Sequence, residues 1–94
     1  GEPGIAEEVA TYLAEKNVLA VGADTWGLDP IPPHKPGRPF QGHITLIKEN
    51  GIYILEVMNT GALIKDGVNE FLFVLGPSRL RGAVQAIIDP IAMY

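Results

Sequence analysis

The chain contains no cysteine. Disulfides, thiolate nucleophiles and zinc sites built on cysteine are therefore excluded. Basic residues are also few, seven Lys and Arg against eleven Asp and Glu, for a net charge of −4. They are scattered (Lys16, Lys35, Arg38, Lys48, Lys65, Arg79, Arg81). A nucleic-acid face needs a basic stripe, so no nucleic-acid partner is expected. Arg79 and Arg81, the one close pair, read either as part of a solvated loop or as a weak anion contact. Long apolar runs are missing too. The stretch Phe71-Leu72-Phe73-Val74-Leu75 falls far short of the ~18 residues of a membrane span. No basic segment followed by an apolar one opens the chain, so no leader is visible. A cytoplasmic protein without membrane association is expected. The opening Gly-Glu-Pro-Gly, without Met, reads as part of something longer.

What is present suffices for one domain spanning residues 1–94. The composition, 47% hydrophobic, is that of a globular chain and not of a disordered one. A chain of this size buries only roughly 60–65% of its unfolded surface. It would be marginal alone, which favours packing against another chain.

Residues 4–16 read as an amphipathic helix, with Ile5, Val9, Tyr12 and Leu13 on one face. Pro3 suits its start, Glu7 and Glu8 suit the positive end of its dipole, and Asn17 suits its stop. Residues 18–23 form a short strand, apolar on both faces, as in a covered α/β sheet. Residues 27–42 hold five prolines (Pro30, Pro32, Pro33, Pro36, Pro39) and read as a long loop. His34 within it reads as an exposed loop residue. Residues 43–50 form a short helix with Ile44 and Ile47 toward the core and Leu46 on a flank. Asn50-Gly51 stops it. Residues 52–58 and 70–75 are strands, with a helical turn near residues 62–64 between them. Residues 83–88 and 91–93 are further strands, broken at Asp89-Pro90. The fold class is α/β, two helices on a mixed sheet.

One residue breaks the apolar pattern of the 52–58 strand. Glu56 stands within Ile52-Tyr53-Ile54-Leu55-Glu56-Val57-Met58. A lone ionised carboxylate buried in such a strand costs on the order of several kcal/mol, so it must be paired or hold a metal. His43 lies thirteen residues earlier. A helix from 43 to 50 rises roughly 11 Å, and a strand from 52 to 56 returns roughly 13 Å. If the two run antiparallel, His43 and Glu56 finish at the same height. Imidazole and carboxylate are a standard pair for zinc or manganese. The alternative is that Glu56 takes backbone N–H groups or an Arg, with His43 as a helix cap.

The chain resembles the C-terminal half of the metal-dependent cyclase family, which includes bacterial kynurenine formamidase and isatin hydrolase. The likeness lies in the order and spacing of several segments. Pro3-Gly4-Ile5, the helix after it and the run from Ala20 to Pro30 look like that family's helix, strand and "G-x-D-x-x-S-x-D" stretch. Gly27 stands where a serine is usual. Gly42-His43-Ile44-Thr45-Leu46-Ile47, then Gly51 and Ile54-Leu55-Glu56-Val57, look like its "H-x-x-L-L…G…i-x-E-N-L" segment. Val57 replaces the usual Asn. The run from Phe71 to Gly82 looks like its closing "F-x-x-L-P-l-k-l-x-G". The resemblance implies part of a swivelling β/β/α architecture. It implies that His43 and Glu56 help to hold a divalent metal, zinc or manganese, for hydrolysis of amide, formamide or lactam bonds. Asp24 and Asp29 would lie near the strand end facing the site, unless they only cap and turn the chain at Asp29-Pro30. Trp26 would line a substrate pocket or cover the core.

The family's "H-x-G-T-H-x-D-x-P-x-H" signature, which supplies the remaining ligands and an acid/base histidine, does not occur here. Catalytic zinc usually takes three protein ligands and a water. The chain alone is therefore not expected to catalyse the family reaction. A homo-oligomer, or a second chain bearing the missing histidines, is expected. The competing expectation is a non-catalytic interaction module that retains a remnant of the fold.

Overall fold

The computed structural model describes residues 1–94. The chain is α/β and divides into two compact units, Gly1–Thr60 and Gly61–Tyr94.

The first unit holds the core. Helix α1 spans Glu7–Glu15 and carries Glu7 and Glu8 in its first turn, where they complement the helix dipole. Asn17 ends it in the left-handed conformation (φ 54°), which Asn tolerates better than most residues. Strand β1, Ala20–Gly22, follows. After the Pro-rich loop, helix α2 opens with Gln41–His43 and continues as a π-helix over Ile44–Glu49. Strand β2, Tyr53–Leu55, then pairs parallel with β1, in the register Ala20–Tyr53, Val21–Ile54, Gly22–Leu55. Parallel pairing needs a long crossover, and the loop with α2 provides it.

Ala10, Leu28, Leu46 and Ile52 form the buried centre, with Ile5, Leu13, Val18, Val21 and Ile54 packed around them. Leu46, not Ile44 or Ile47, points inward: it is fully buried, and the two isoleucines are exposed. The physical reason is the π stretch. Its i→i+5 bonds turn the side chains through a different angle per residue from an α-helix, so a face counted at α spacing is the wrong one. The N-terminal segment lies across the loop. Glu2 and Ile31 exchange backbone hydrogen bonds, and Ile5 N–H donates to Leu28 O. Gly4 is needed there, because a Cβ would collide with the backbone of Leu28, Asp29 and Pro30. Farther along, Lys35 bonds to Glu7 and Glu8, and Arg38 to Glu7 and Gln41, so the loop is strapped to α1. The Glu7 and Glu8 carboxylates raise the Lys35 pKa. The Glu8 carboxyl is lowered, first by its backbone hydrogen bond and then by Lys35.

The second unit has helix α3, Gly61–Lys65, and the antiparallel pair β3 (Leu72–Val74) and β4 (Ile91–Met93). Tyr94 Oη donates to Asp66 at 2.6 Å, which raises the tyrosine pKa. None of residues 61–94 is buried. The strand expected over 83–88 does not form. That segment is apolar apart from Gln85, but no partner strand meets it, and Val84 and Ile87 are 98% and 97% exposed. The strands thus form two separate two-stranded pairs and not one mixed sheet.

Leu46→Ala should cost about 2–5 kcal/mol of stability, read as a lower denaturation midpoint in urea with an unchanged slope. Ile47→Ala, at an exposed position, should move the midpoint little.

Candidate functional site

The segment after β1 folds back on itself. Thr25 Oγ1 donates to Gly27 O. Leu28 is buried, and its neighbour Asp29 is carried inward with it, to 6% exposure. Asp29 is the one buried charged residue of the chain, a place the sequence reading had assigned to Glu56. Two backbone donors and one ring nitrogen meet its carboxylate. Gly42 N–H reaches Oδ1 at 2.7 Å, His43 N–H reaches Oδ2 at 3.0 Å, and His43 Nδ1 lies 2.6 Å from Oδ2. A buried carboxylate so paired escapes the penalty of an unpartnered one. It also takes the capping role that Phe40, the residue before α2, does not fill: Phe40 is left-handed (φ 56°) and makes no side-chain cap. Gly42 allows the close approach, since a Cβ there would stand 2.7 Å from Asp29 Oδ1.

Beyond the imidazole lies the second carboxylate. His43 Nε2 is 3.3 Å from Glu56 Oε1, and the His43 and Glu56 side chains are 34% and 30% exposed. Glu56 stands just past the end of β2 and is half-buried, so the expectation of a carboxylate sealed within a strand is corrected. It accepts Leu28 N–H at 2.9 Å, and no arginine pairs with it. The chain leaves β2 sharply after Glu56. Val57 is left-handed (φ 54°), and backbone bonds from Val57 N–H to Thr25 O and Met58 N–H to Ala23 O hold the bend. A β-branched residue at positive φ is a true outlier, costing about 1–2 kcal/mol, and such strain gathers at functional sites.

Neither a family model, nor a curated protein, nor a solved structure matches this chain. The site is therefore read from its own geometry. Asp29, His43 and Glu56 form a continuous carboxylate–imidazole–carboxylate line. Nε2 and Oε1 stand 3.3 Å apart, so a single cation could be bound by both. Two ligands bonded at about 2.1 Å to one tetrahedral ion stand roughly 3.4 Å apart, close to the spacing here. No group of three or more His, Asp or Glu side chains is gathered as if to hold a metal ion.

The remaining predicted site residues lie outside this line. Asp24 is exposed. Trp26 is 63% exposed, so it does not cover the core. His34 is exposed on the loop and lines a hollow of about 190 Å³ with Lys35, Arg38 and Phe40. A larger depression of about 440 Å³ runs between α1 and α2. Asp29 also lines the smaller hollow, whereas His43 and Glu56 line neither. Phe40 stacks edge-to-face on His43, with ring centroids 5.8 Å apart.

Asp29 is expected near the site or as a capping and turn residue; its burial and its contact with the His43 ring are the parts the sequence does not show. Its partners come after a proline-rich loop with no period to follow. The only local signal was the glycine directly before His43.

Gly42→Ala should push the Asp29 carboxylate from its donors and cost about 2–3 kcal/mol, measured by chemical denaturation. Val57→Asn should raise stability by about 1 kcal/mol, since Asn accepts the left-handed conformation more readily. A loss of stability in that variant would show that the valine side chain contributes packing there.

Proposed function

We propose that this chain supplies part of a divalent-metal hydrolase centre, with His43 Nε2 and the Glu56 carboxylate as two of its ligands. The 3.3 Å approach of these two groups carries the reading. It is the distance at which both can bind one zinc or manganese ion, and Glu56 is steadied by the Leu28 N–H as a ligating carboxylate needs to be. When bound, the ion would lower the pKa of a water and polarise a carbonyl, which suits hydrolysis of an amide, formamide or lactam. His43 and Glu56 fix the position at which this happens. Two ligands are too few for a working site, so a further segment or a second chain must bring the others, with a histidine to move protons.

The left-handed backbone at residue 57 supports the resemblance to the metal-dependent cyclase family. The residue usual there, Asn, is one that suits such a conformation. The incomplete cover of the β1–β2 pair also supports a missing piece. Val21 and Ile54 join the core, while on the opposite face Leu55 is buried but Tyr53 is exposed; parallel strands are normally covered on both faces. The swivelling β/β/α architecture belongs to the same proposal, as does a homo-oligomer or second chain as partner.

A second reading, a non-catalytic interaction module, draws on the exposed apolar side chains, among them Leu19, Trp26, Val57, Val84 and Ile87. No helix is long and apolar enough to cross a membrane, so these side chains, in either unit, fit a protein partner better than a membrane span.

Titration with Zn²⁺ or Mn²⁺, followed by NMR, separates the two readings. The metal-centre reading expects perturbations centred on His43 and Glu56, and at least about a tenfold loss of affinity in His43→Ala and Glu56→Gln. Unchanged metal binding in a folded His43→Ala protein would sink it.

A further inference from the structure

We infer that Asp29 is a positioning residue for the His43 ring: it holds the proton on Nδ1 and so leaves Nε2 as the lone-pair nitrogen facing Glu56. The inference rests on the proposed metal-centre reading for its purpose, but its evidence is separate. Asp29 accepts hydrogen bonds from two backbone N–H groups, Gly42 and His43, so it acts there as an acceptor. The third contact, at 2.6 Å from Oδ2 to His43 Nδ1, must then be one in which the ring donates. A neutral imidazole carries one proton, and with that proton on Nδ1 the other nitrogen is bare.

The carboxylate is also held still. It is 6% exposed, flanked by Gly42 at a distance that leaves no room for a Cβ, and tied to the first turn of the helix that bears His43. One rigid group therefore sets the backbone position of His43 and the orientation of its ring. A residue that only capped the helix would need the two backbone bonds alone. The bond to Nδ1 adds nothing to capping and fixes which nitrogen points outward. Outer carboxylates that orient a histidine in this way typically change metal affinity by about 10–100-fold when removed. Replacing such a carboxylate by an amide offers the ring the wrong tautomer.

The test is a long-range ¹H–¹⁵N correlation spectrum of the metal-free chain, recorded on the neutral ring. It is run on the wild type and on Asp29→Asn. The wild type should show Nδ1 protonated and Nε2 bare, and Asp29→Asn should lose that preference while the amide spectrum stays dispersed. Zn²⁺ affinity should fall at least about tenfold in the same variant. A wild-type ring protonated on Nε2 overturns the inference, as does a folded Asp29→Asn protein with the wild-type tautomer. If the variant does not fold, the wild-type spectrum still decides. The two proposals can fail apart. A ring held as Nδ1–H that binds no Zn²⁺ ends the metal reading and upholds this one. A ring held as Nε2–H ends this one even where Zn²⁺ binds.

Discussion

The Asp29 carboxylate at the start of α2 is the constraint on which the first unit depends. It joins two segments separated by the whole Pro-rich loop, and it does so below the surface, where charge-assisted hydrogen bonds are strong and an unpaired carboxylate is costly. The loop contributes no regular structure of its own. Its ends are fixed by Asp29 on one side and Gly42 on the other, and its exposed face is strapped by Lys35 and Arg38 to α1. Those surface ion pairs contribute little individually. The buried carboxylate sets the register in which they meet.

From that anchor the site follows by short steps. The turn that buries Asp29 presents the Leu28 N–H to Glu56, and the helix that Asp29 caps presents His43 to the same carboxylate. The bend at Val57 lets β2 end just where Glu56 is required. It stores strain in a residue poorly suited to it. Local preference and site geometry disagree at this position. Such disagreement is expected where a chain is shaped for a task as well as for stability.

Much of this was legible in the sequence, and the exceptions have physical causes. Helix α1, the strands near residues 20, 54 and 73, and the helical turn near residue 63 lie on strong local patterns. The approach of His43 to Glu56 was legible because helix rise and strand rise over the two segments nearly cancel. α spacing puts Leu46 on a flank, because nothing in Ile44–Glu49 distinguishes π from α geometry. The role of Asp29 was obscured because its partners are non-local. Residues 83–88 carry strand character, yet a strand exists only where another pairs with it, and no local pattern reports that. The mixed sheet resolved into two pairs for the same reason.

The absence of any buried side chain in Gly61–Tyr94 has a consequence for how order is distributed along the chain. Ordering backbone costs about 1–2 kcal/mol per residue, and the burial that normally offsets it is lacking there. The β3–β4 pair therefore opens at little free-energy cost, and its amide protons should exchange quickly. Those around Leu28, Leu46 and Ile52 exchange only when the first unit unfolds. Heat or protease should therefore reach Gly61–Tyr94 before Gly1–Thr60.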